Sequence, residues 1–178
     1  MDKGNKIPRR IVIFGFSGSG KSTLADILGE KYGIDPTHLD SIHWLPGWKE
    51  LPKEKMKRRV KEIIKKDKWI IEGNYSSAYM EERIKRADTV IFMELNRFIC
   101  LYRVIKRYFK YRGKTRPDMG NGCPEKLDLE FIKWVLIDGR RNKFKFYKML
   151  GDINIAEKNV YVMKSPGDVK RYLKIIQK

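Results

Sequence analysis

Residues 10–22 constrain this chain more than any other stretch. A short apolar run, RIVIF (10–14), leads directly into Gly15-Phe-Ser-Gly-Ser-Gly-Lys-Ser22, and a helical pattern follows from Lys21. The run is short, β-branched and unbroken by polar residues, which suits a strand buried on both faces. The glycines let the backbone turn tightly and aim successive N–H groups inward. A helix beginning at Lys21 adds the positive end of its dipole. Strand, glycine loop and helix in that order form an anion cradle, and the spacing G-x-x-x-x-G-K-[ST] specifies a nucleoside triphosphate. Lys21 is expected to reach the β- and γ-phosphates, and the Ser22 hydroxyl to bind Mg²⁺.

The rest of the chain repeats the alternation. Residues 69–72 (WIIE), 89–94 (TVIFME) and 159–163 (NVYVM) read as further buried strands, with 37–39 a weaker fifth. Helical patterns lie between them at 21–32, 53–66, 97–111, 124–137, 140–150 and 168–177. In 53–66, Met56, Val60, Ile63 and Ile64 share one face. In 97–111, Phe98, Leu101, Tyr102, Ile105 and Phe109 form the stripe expected to face the core. Strands alternating with helices predict a three-layer α/β domain with a parallel sheet, right-handed crossovers and ligands at the carboxyl ends of the strands. No repeat or linker interrupts the 178 residues, so the whole chain, 1–178, reads as a single domain.

Composition narrows the function. No apolar run approaches membrane-spanning length, and the basic start MDKGNKIPRR is followed by too short an apolar stretch for a secretory signal. The chain reads as cytoplasmic, with no membrane partner. Two cysteines give neither a disulfide framework nor zinc spacing. His38 and His43 flank Asp40, but Mg²⁺ prefers oxygen ligands, so a separate histidine metal site is not expected. Forty Lys and Arg against 22 Asp and Glu give a net charge of +18, which attracts polyanions without selecting among them.

Two carboxylates end candidate strands near the glycine loop: Asp40 after 37–39, and Glu72 at the end of 69–72. One is expected to fix the metal or its waters, the other to hold or deprotonate an acceptor hydroxyl. The segment 41–48 (SIHWLPGW) is dense in aromatics for a loop and reads as an acceptor loop, with Trp44 and Trp48 available to stack on a ligand or to pin the loop. An acceptor-side insertion is placed at about 41–66, and Arg58 and Arg59 on its helix are candidate contacts for an acceptor anion.

Residues 97–116 contain eight Lys or Arg and no acid. Arg103 and Arg107 are four apart and share a helix face. Arg112, Lys114 and Arg116 follow in a turn containing Gly and Pro. A kinase could use this segment as a lid whose guanidinium groups close over a triphosphate. A nucleic-acid binder could use the same charges on a phosphate backbone, although no RNA- or DNA-reading motif is visible.

The motifs GFSGSGKST, HLDSIHWLPGW, WIIEGNY, CLYRVIKRYFKYRGKTRPDMGNGCPEKLDLEFIKW and VYVMKSPGDVKRYL cover nearly the whole chain, and on them it resembles the P-loop kinases related to adenylate, cytidylate and shikimate kinases. It looks most like bacterial proteins labelled DNA topology modulation proteins. The resemblance implies a P-loop NTPase fold with a five-stranded parallel sheet in the order 2-3-1-4-5 and a helical basic lid at about 103–140. It implies ATP and Mg²⁺ as cofactors and a small-molecule acceptor, with nucleic acid secondary. By resemblance Gly15, Ser17, Gly18, Ser19, Gly20, Lys21, Ser22 and Thr23 bind nucleotide phosphates. Arg103 lies against adenine and Arg107 meets the phosphates. Arg140 and Arg141 supply further phosphate contacts, and Ser165 and Pro166 pass beside the adenine edge. Asp40 faces the acceptor, and Ser22 with Glu72 holds the metal. Lys21, Asp40 and Arg107 are the catalytic candidates. Asn74, Tyr75 and Ser76 replace the Phe-Pro-Arg that follows Asp-Gly in adenylate kinases, which argues against a nucleoside monophosphate acceptor. The leading function is an ATP-dependent phosphotransferase; the rival is a nucleic-acid-associated P-loop ATPase or binding protein.

Overall fold

A computed structural model describes residues 7–153 and 158–177; the basic start, 1–6, lies outside them. The main strands are β1 (Arg10–Gly15), β2 (Pro36–His38), β5 (Trp69–Glu72), β6 (Thr89–Met93) and β7 (Asn159–Met163). They form one five-stranded sheet in the order β2-β5-β1-β6-β7, with every pairing parallel. Counting these five alone, the order is 2-3-1-4-5, as expected. The remaining strands, β3 (Trp44–Leu45) and β4 (Lys49–Glu50), make a small antiparallel hairpin.

The apolar runs lack alternation because both faces of the sheet are covered. Val12, Phe14, Ile71 and Phe92 point to one side, where they meet α3 (Lys53–Ile64), α4 (Met80–Arg86) and α7 (Lys143–Gly151) through Val60, Ile84 and Phe146. Ile11, Ile13, Ile70 and Ile91 point to the other. There they meet α1 (Lys21–Tyr32), α5 (Arg97–Tyr111), α6 (Leu129–Leu136) and α8 (Pro166–Gln177) through Leu24, Leu28, Cys100, Val104, Val135 and Tyr172. One further short helix, α2 (Leu39–His43), joins β2 to the hairpin.

Three local expectations change. In α5 the buried residues are Cys100 and Val104, while Phe98, Tyr102 and Phe109 are exposed. The reason is backbone proximity. A Cβ on Gly18 would lie 2.5 Å from the Cys100 carbonyl oxygen, so only small or slim side chains fit between the helix and the glycine loop. The helix expected from Pro124 begins at Leu129 instead, because Asp128 accepts the Phe131 N–H at 2.7 Å and caps it, while Pro124 is bridged to Thr115. The short helices α2 and α4 were not expected; α4 has seven residues and α2 five, too few turns for a period to show.

The segment 112–128 leaves α5 and docks on the hairpin. Gly47 N–H donates to the Gly122 carbonyl at 2.9 Å, Trp48 Nε1–H to that of Pro124 at 3.2 Å, and the Cys123 thiol to that of Leu45 at 3.1 Å. A Cβ at Gly120 would sit 1.9 Å from the Trp44 carbonyl oxygen. Gly120→Ala must therefore push this segment off the hairpin. Urea denaturation is expected to show a loss of about 1–3 kcal/mol, the usual range for overpacking, and wild-type stability would contradict the docking.

Candidate functional site

The carboxyl ends of β1, β2 and β5 open into one cleft of about 1150 Å³, bounded by the glycine loop, the hairpin and the α5–α6 arm. At the glycine-loop end, Gly18 and Gly20 both have positive φ, 76° and 96°, a geometry that leaves successive N–H groups free to face an anion. The loop is held from outside. Asn74 accepts from Gly15 N–H at 2.9 Å and donates to the Gly15 carbonyl at 2.7 Å. Arg103 donates to the Ser19 carbonyl at 2.8 Å, and Trp134 Nε1–H to Ser17 Oγ at 3.3 Å. Lys21 Nζ donates to the Phe16 carbonyl at 3.2 Å and lies 3.7 Å from Glu72 Oε1.

Glu72 joins the two ends of the cleft. It is only 2% exposed. Its Oε2 accepts from Ser22 Oγ at 3.3 Å and contacts His38 Nδ1 at 3.4 Å, while His38 Nε2 lies 3.0 Å from Asp26. Burial alone would disfavour the His38 cation, but the Glu72 hydrogen bond and charge, with Asp26 and Asp118, outweigh it and raise the imidazole above its ordinary 6.5. The two oxygen donors Ser22 and Glu72 stand within hydrogen-bond reach of one another, a donor set suited to a hard cation such as Mg²⁺.

Farther along the cleft, Asp40 sits in the first turn of α2, and its Oδ1 accepts from the Tyr75 hydroxyl at 2.7 Å. Burial and the Glu72 charge push the Asp40 carboxyl up, against the Tyr75 hydrogen bond. Burial and Asp40 push the Tyr75 phenol up. Rings line this end: His43 is 4.6 Å from Tyr75 and 4.7 Å from Trp44, and Trp44 is 5.4 Å from Trp48, centroid to centroid.

The loop that carries Asn74 and Tyr75 is anchored by a residue the sequence did not flag. Arg83, fully buried, donates to the Gly73 carbonyl at 3.1 Å and the Tyr75 carbonyl at 2.8 Å. Burial, partly offset by Glu72, lowers it to about 10, so it stays charged at neutral pH.

Three arginines of the basic arm, Arg103, Arg107 and Arg116, are used internally. Arg107 donates through Nε to Glu125 Oε1 at 2.9 Å, and its Nη2 lies 2.9 Å from the same oxygen. Buried Arg116 reaches Glu125 Oε2 at 2.5 Å and Asp118 at 2.8 Å. Arg112 and Lys114 are exposed. Arg140 does not enter the cleft: it donates to the Leu95 and Val135 carbonyls and lies 4.2 Å over the Phe16 ring. Arg141 is exposed and pairs with Asp138 at 3.2 Å. Ser165 caps α8, its Oγ accepting from Asp168 N–H at 3.2 Å while the Asp168 carboxylate accepts from Ser165 N–H at 2.7 Å, and Pro166 opens that helix; the next turns, through Val169 and Leu173, line the cleft. Arg58 and Arg59 are exposed on α3 and do not line it. Tyr75, Asp118 and Glu125 complete the site beyond the residues singled out from sequence. A faint signal for the last two existed: they are the first acids after the acid-free stretch 97–116.

No protein-family model matches the chain, and no curated protein sequence matches it. Solved structures do. A shikimate kinase from Acinetobacter baumannii, in complex with shikimate, aligns over 99% of this chain and 96% of that one, with a TM-score of 0.60 at 17% identity. A shikimate kinase from Bacteroides thetaiotaomicron aligns over 96% of this chain and 99% of that one, with a TM-score of 0.57 at 15% identity. The chain shares the fold of these two structures. The likeness spans the whole sheet and its helices, so the P-loop NTPase topology drawn from the sequence stands on full-length alignment. Within that fold, no helix among the described residues is long and apolar enough to cross a membrane.

Arg83 is expected to hold the β5 exit loop rather than the fold at large. Arg83→Met would leave the two carbonyls unpaired and is expected to cost about 2–4 kcal/mol in urea denaturation. Arg83→Lys, which keeps charge but lacks the fork, should fall between. Three equally stable proteins would remove this role.

Proposed function

We propose that the chain is an ATP-dependent phosphotransferase that moves the γ-phosphoryl group to a hydroxyl of a small molecule. One observation carries the reading: a single cleft runs from the glycine loop, with Lys21 and Ser22, past Glu72 to the paired Asp40 and Tyr75. A phosphoryl donor and an acceptor bound at its two ends would meet in line beside Glu72. The neighbouring folds, both shikimate kinases, support the same class of chemistry. The closer likeness to topology modulation proteins rests on sequence motifs alone.

In this reading Gly15, Ser17, Gly18, Ser19, Gly20 and Thr23 shape or line the phosphate cradle. Lys21 meets the β- and γ-phosphates, and its charge is kept in place by Glu72 and the Phe16 carbonyl. Ser22 and Glu72 would hold Mg²⁺, which would neutralise charge on the phosphates when bound. The acceptor hydroxyl oxygen forms a bond to the γ-phosphorus, the bond to the β-phosphate oxygen breaks, and ADP leaves. Asp40 takes the hydroxyl proton, and its raised pKa suits a base that must be ionised but readily protonated. Arg103, on the glycine-loop carbonyl, is placed to flank the nucleotide. Arg107 lies along the same helix face and turns toward the phosphates in exchange for Glu125. Ser165 and Pro166 position α8, whose Val169 and Leu173 border the base end. Residues 41–66 form the acceptor side and 103–140 the lid. The nucleic-acid reading has less support, because Arg103, Arg107 and Arg116 are bonded within the cleft rather than spread along an open face.

Lys21→Ala is expected to fold normally, by circular dichroism, and to lose at least about a hundredfold in phosphoryl transfer. Wild-type turnover by the folded variant would overturn the reading. Tyr75→Phe tests the base. Asp40 must be ionised, so activity falls as pH drops through its pKa. Removing the Tyr75 hydrogen bond, which lowers that pKa, is expected to move the acid limb of the kcat profile to higher pH. An unmoved or downward-shifted limb would separate Asp40 from the proton transfer.

A further inference from the structure

The acceptor end of the cleft runs against the charge of the protein. The chain as a whole carries +18, yet the hairpin end presents Asp40, Asp118 and Glu125 beside only two arginines, Arg107 and Arg116. Both arginines are paired with acids. Glu125 is buried and uses both oxygens: Oε1 takes Nε and Nη2 of Arg107 at 2.9 Å each, and Oε2 lies 2.5 Å from Nε of Arg116. The other edge of Arg116 donates to Asp118 at 2.8 Å. Of the other cations nearby, Lys126 lies 5.2 Å over the Trp48 ring and 3.5 Å from Asp128, exposed Lys110 lies 5.0 Å over the Tyr111 ring, and buried Arg83 is spent on backbone carbonyls.

We infer that the acceptor is a hydroxyl compound bearing no phosphate or carboxylate, uncharged or cationic, bound between Asp40, Asp118 and the His43–Trp44–Tyr75 wall. This rests on the phosphotransferase reading and adds the class of acceptor to it. The physical reason is the cost of the alternative. Once Arg107 turns to the triphosphate, Arg116 is the remaining partner of Glu125, so a phosphate or carboxylate on the acceptor could recruit Arg116 only by leaving that buried carboxylate unpaired, which is strongly disfavoured. It would also sit against Asp40 and Asp118, a like-charge juxtaposition that selects against such ligands. An uncharged ring meets no such penalty. The wall offers it aromatic faces 4.6–4.7 Å from one another, and His43 Nδ1 is buried without a hydrogen-bond partner among the described residues. A cationic amine would be favoured by the acid excess. Arg107 can still swing to the triphosphate in this scheme: its exchange leaves Glu125 with Arg116, and the acceptor then faces a site one positive charge poorer.

The test is transfer from γ-labelled ATP to matched acceptor pairs that differ in one anionic group: cytidine against cytidine 5′-monophosphate, glucose against glucuronate, and glucosamine against glucosamine 6-phosphate. The uncharged or cationic member of at least one pair is expected to be phosphorylated with kcat/KM at least about tenfold above its anionic partner, the factor that corresponds to 1.4 kcal/mol. Glu125→Gln, which unpairs both arginines, and Asp118→Asn, which leaves Glu125 intact and serves if the first variant does not fold, are each expected to narrow that ratio toward the anionic member. Preference for the anionic member in the wild type would overturn this inference and leave the phosphotransferase reading standing. No transfer to any member, with MgATP bound by calorimetry, would remove both. A ratio that neither variant changes would show that these carboxylates do not set the preference and would overturn the assignment to this site.

Discussion

One buried carboxylate holds this architecture to its purpose. Glu72 ends β5 at 2% exposure and is touched by Lys21 and Ser22, which open α1 behind the glycine loop, and by His38 of β2. A buried acid is tolerated only when its charge is met, so the arrangement ties the start of α1 and the end of β2 to the end of β5. Its field then shapes the neighbours: it helps raise His38 and Asp40 and partly offsets the burial of Arg83. Shortening or removing this side chain would unsettle the glycine loop and the hairpin side together, because both are built around it.

A second constraint is the closeness of α5 to the glycine loop. Gly18 leaves no room for a Cβ against the Cys100 carbonyl, so the helix presents its slim face inward and its aromatics outward. The same approach brings Arg103 onto the Ser19 carbonyl and extends the helix so that Arg107 meets Glu125. The segment 112–128 then folds back on the hairpin instead of standing free. The arm thereby builds one wall of the cleft and covers its far end, with Arg103, Arg107 and Arg116 engaged in that wall while Arg97, Lys106, Lys110, Arg112 and Lys114 stay exposed.

The buried networks also differ in how they resist change. At the glycine loop most bonds run to backbone, from Asn74, Arg103 and Lys21, so the loop's shape is over-determined. At the hairpin end side chains meet side chains: Tyr75 is hydrogen-bonded to Asp40, Arg107 to Glu125 and Arg116 to Asp118, and Arg116 is ion-paired with Glu125. Such pairs can exchange partners when a ligand arrives, which is the property an acceptor pocket needs and a phosphate cradle does not.

Much of the fold was legible in the chain because its causes are local. A strand buried on both faces must be continuously apolar, a loop that cradles phosphate must use glycine at positive φ, and a helix stop at Gly33 follows from its left-handed backbone. Lys21, Ser22, Glu72 and Asp40 were visible for the same reason: each stands at a strand end or loop position that its neighbours announce. Helix direction was less legible. Phe98, Tyr102 and Phe109 carry a core-like period, yet the approach of a distant glycine turns them outward. What tertiary structure alone decided were the partnerships: Tyr75 with Asp40, 35 residues apart in sequence, Arg107 with Glu125, 18 apart, and Arg83 with the loop after β5. The sequence by itself determined a sheet, a glycine loop and their order, since periodicity and backbone freedom are properties of adjacent residues. Which cations are left to meet a ligand depends on which acids the fold brings beside them, and that is a property of distances between segments that no local pattern encodes.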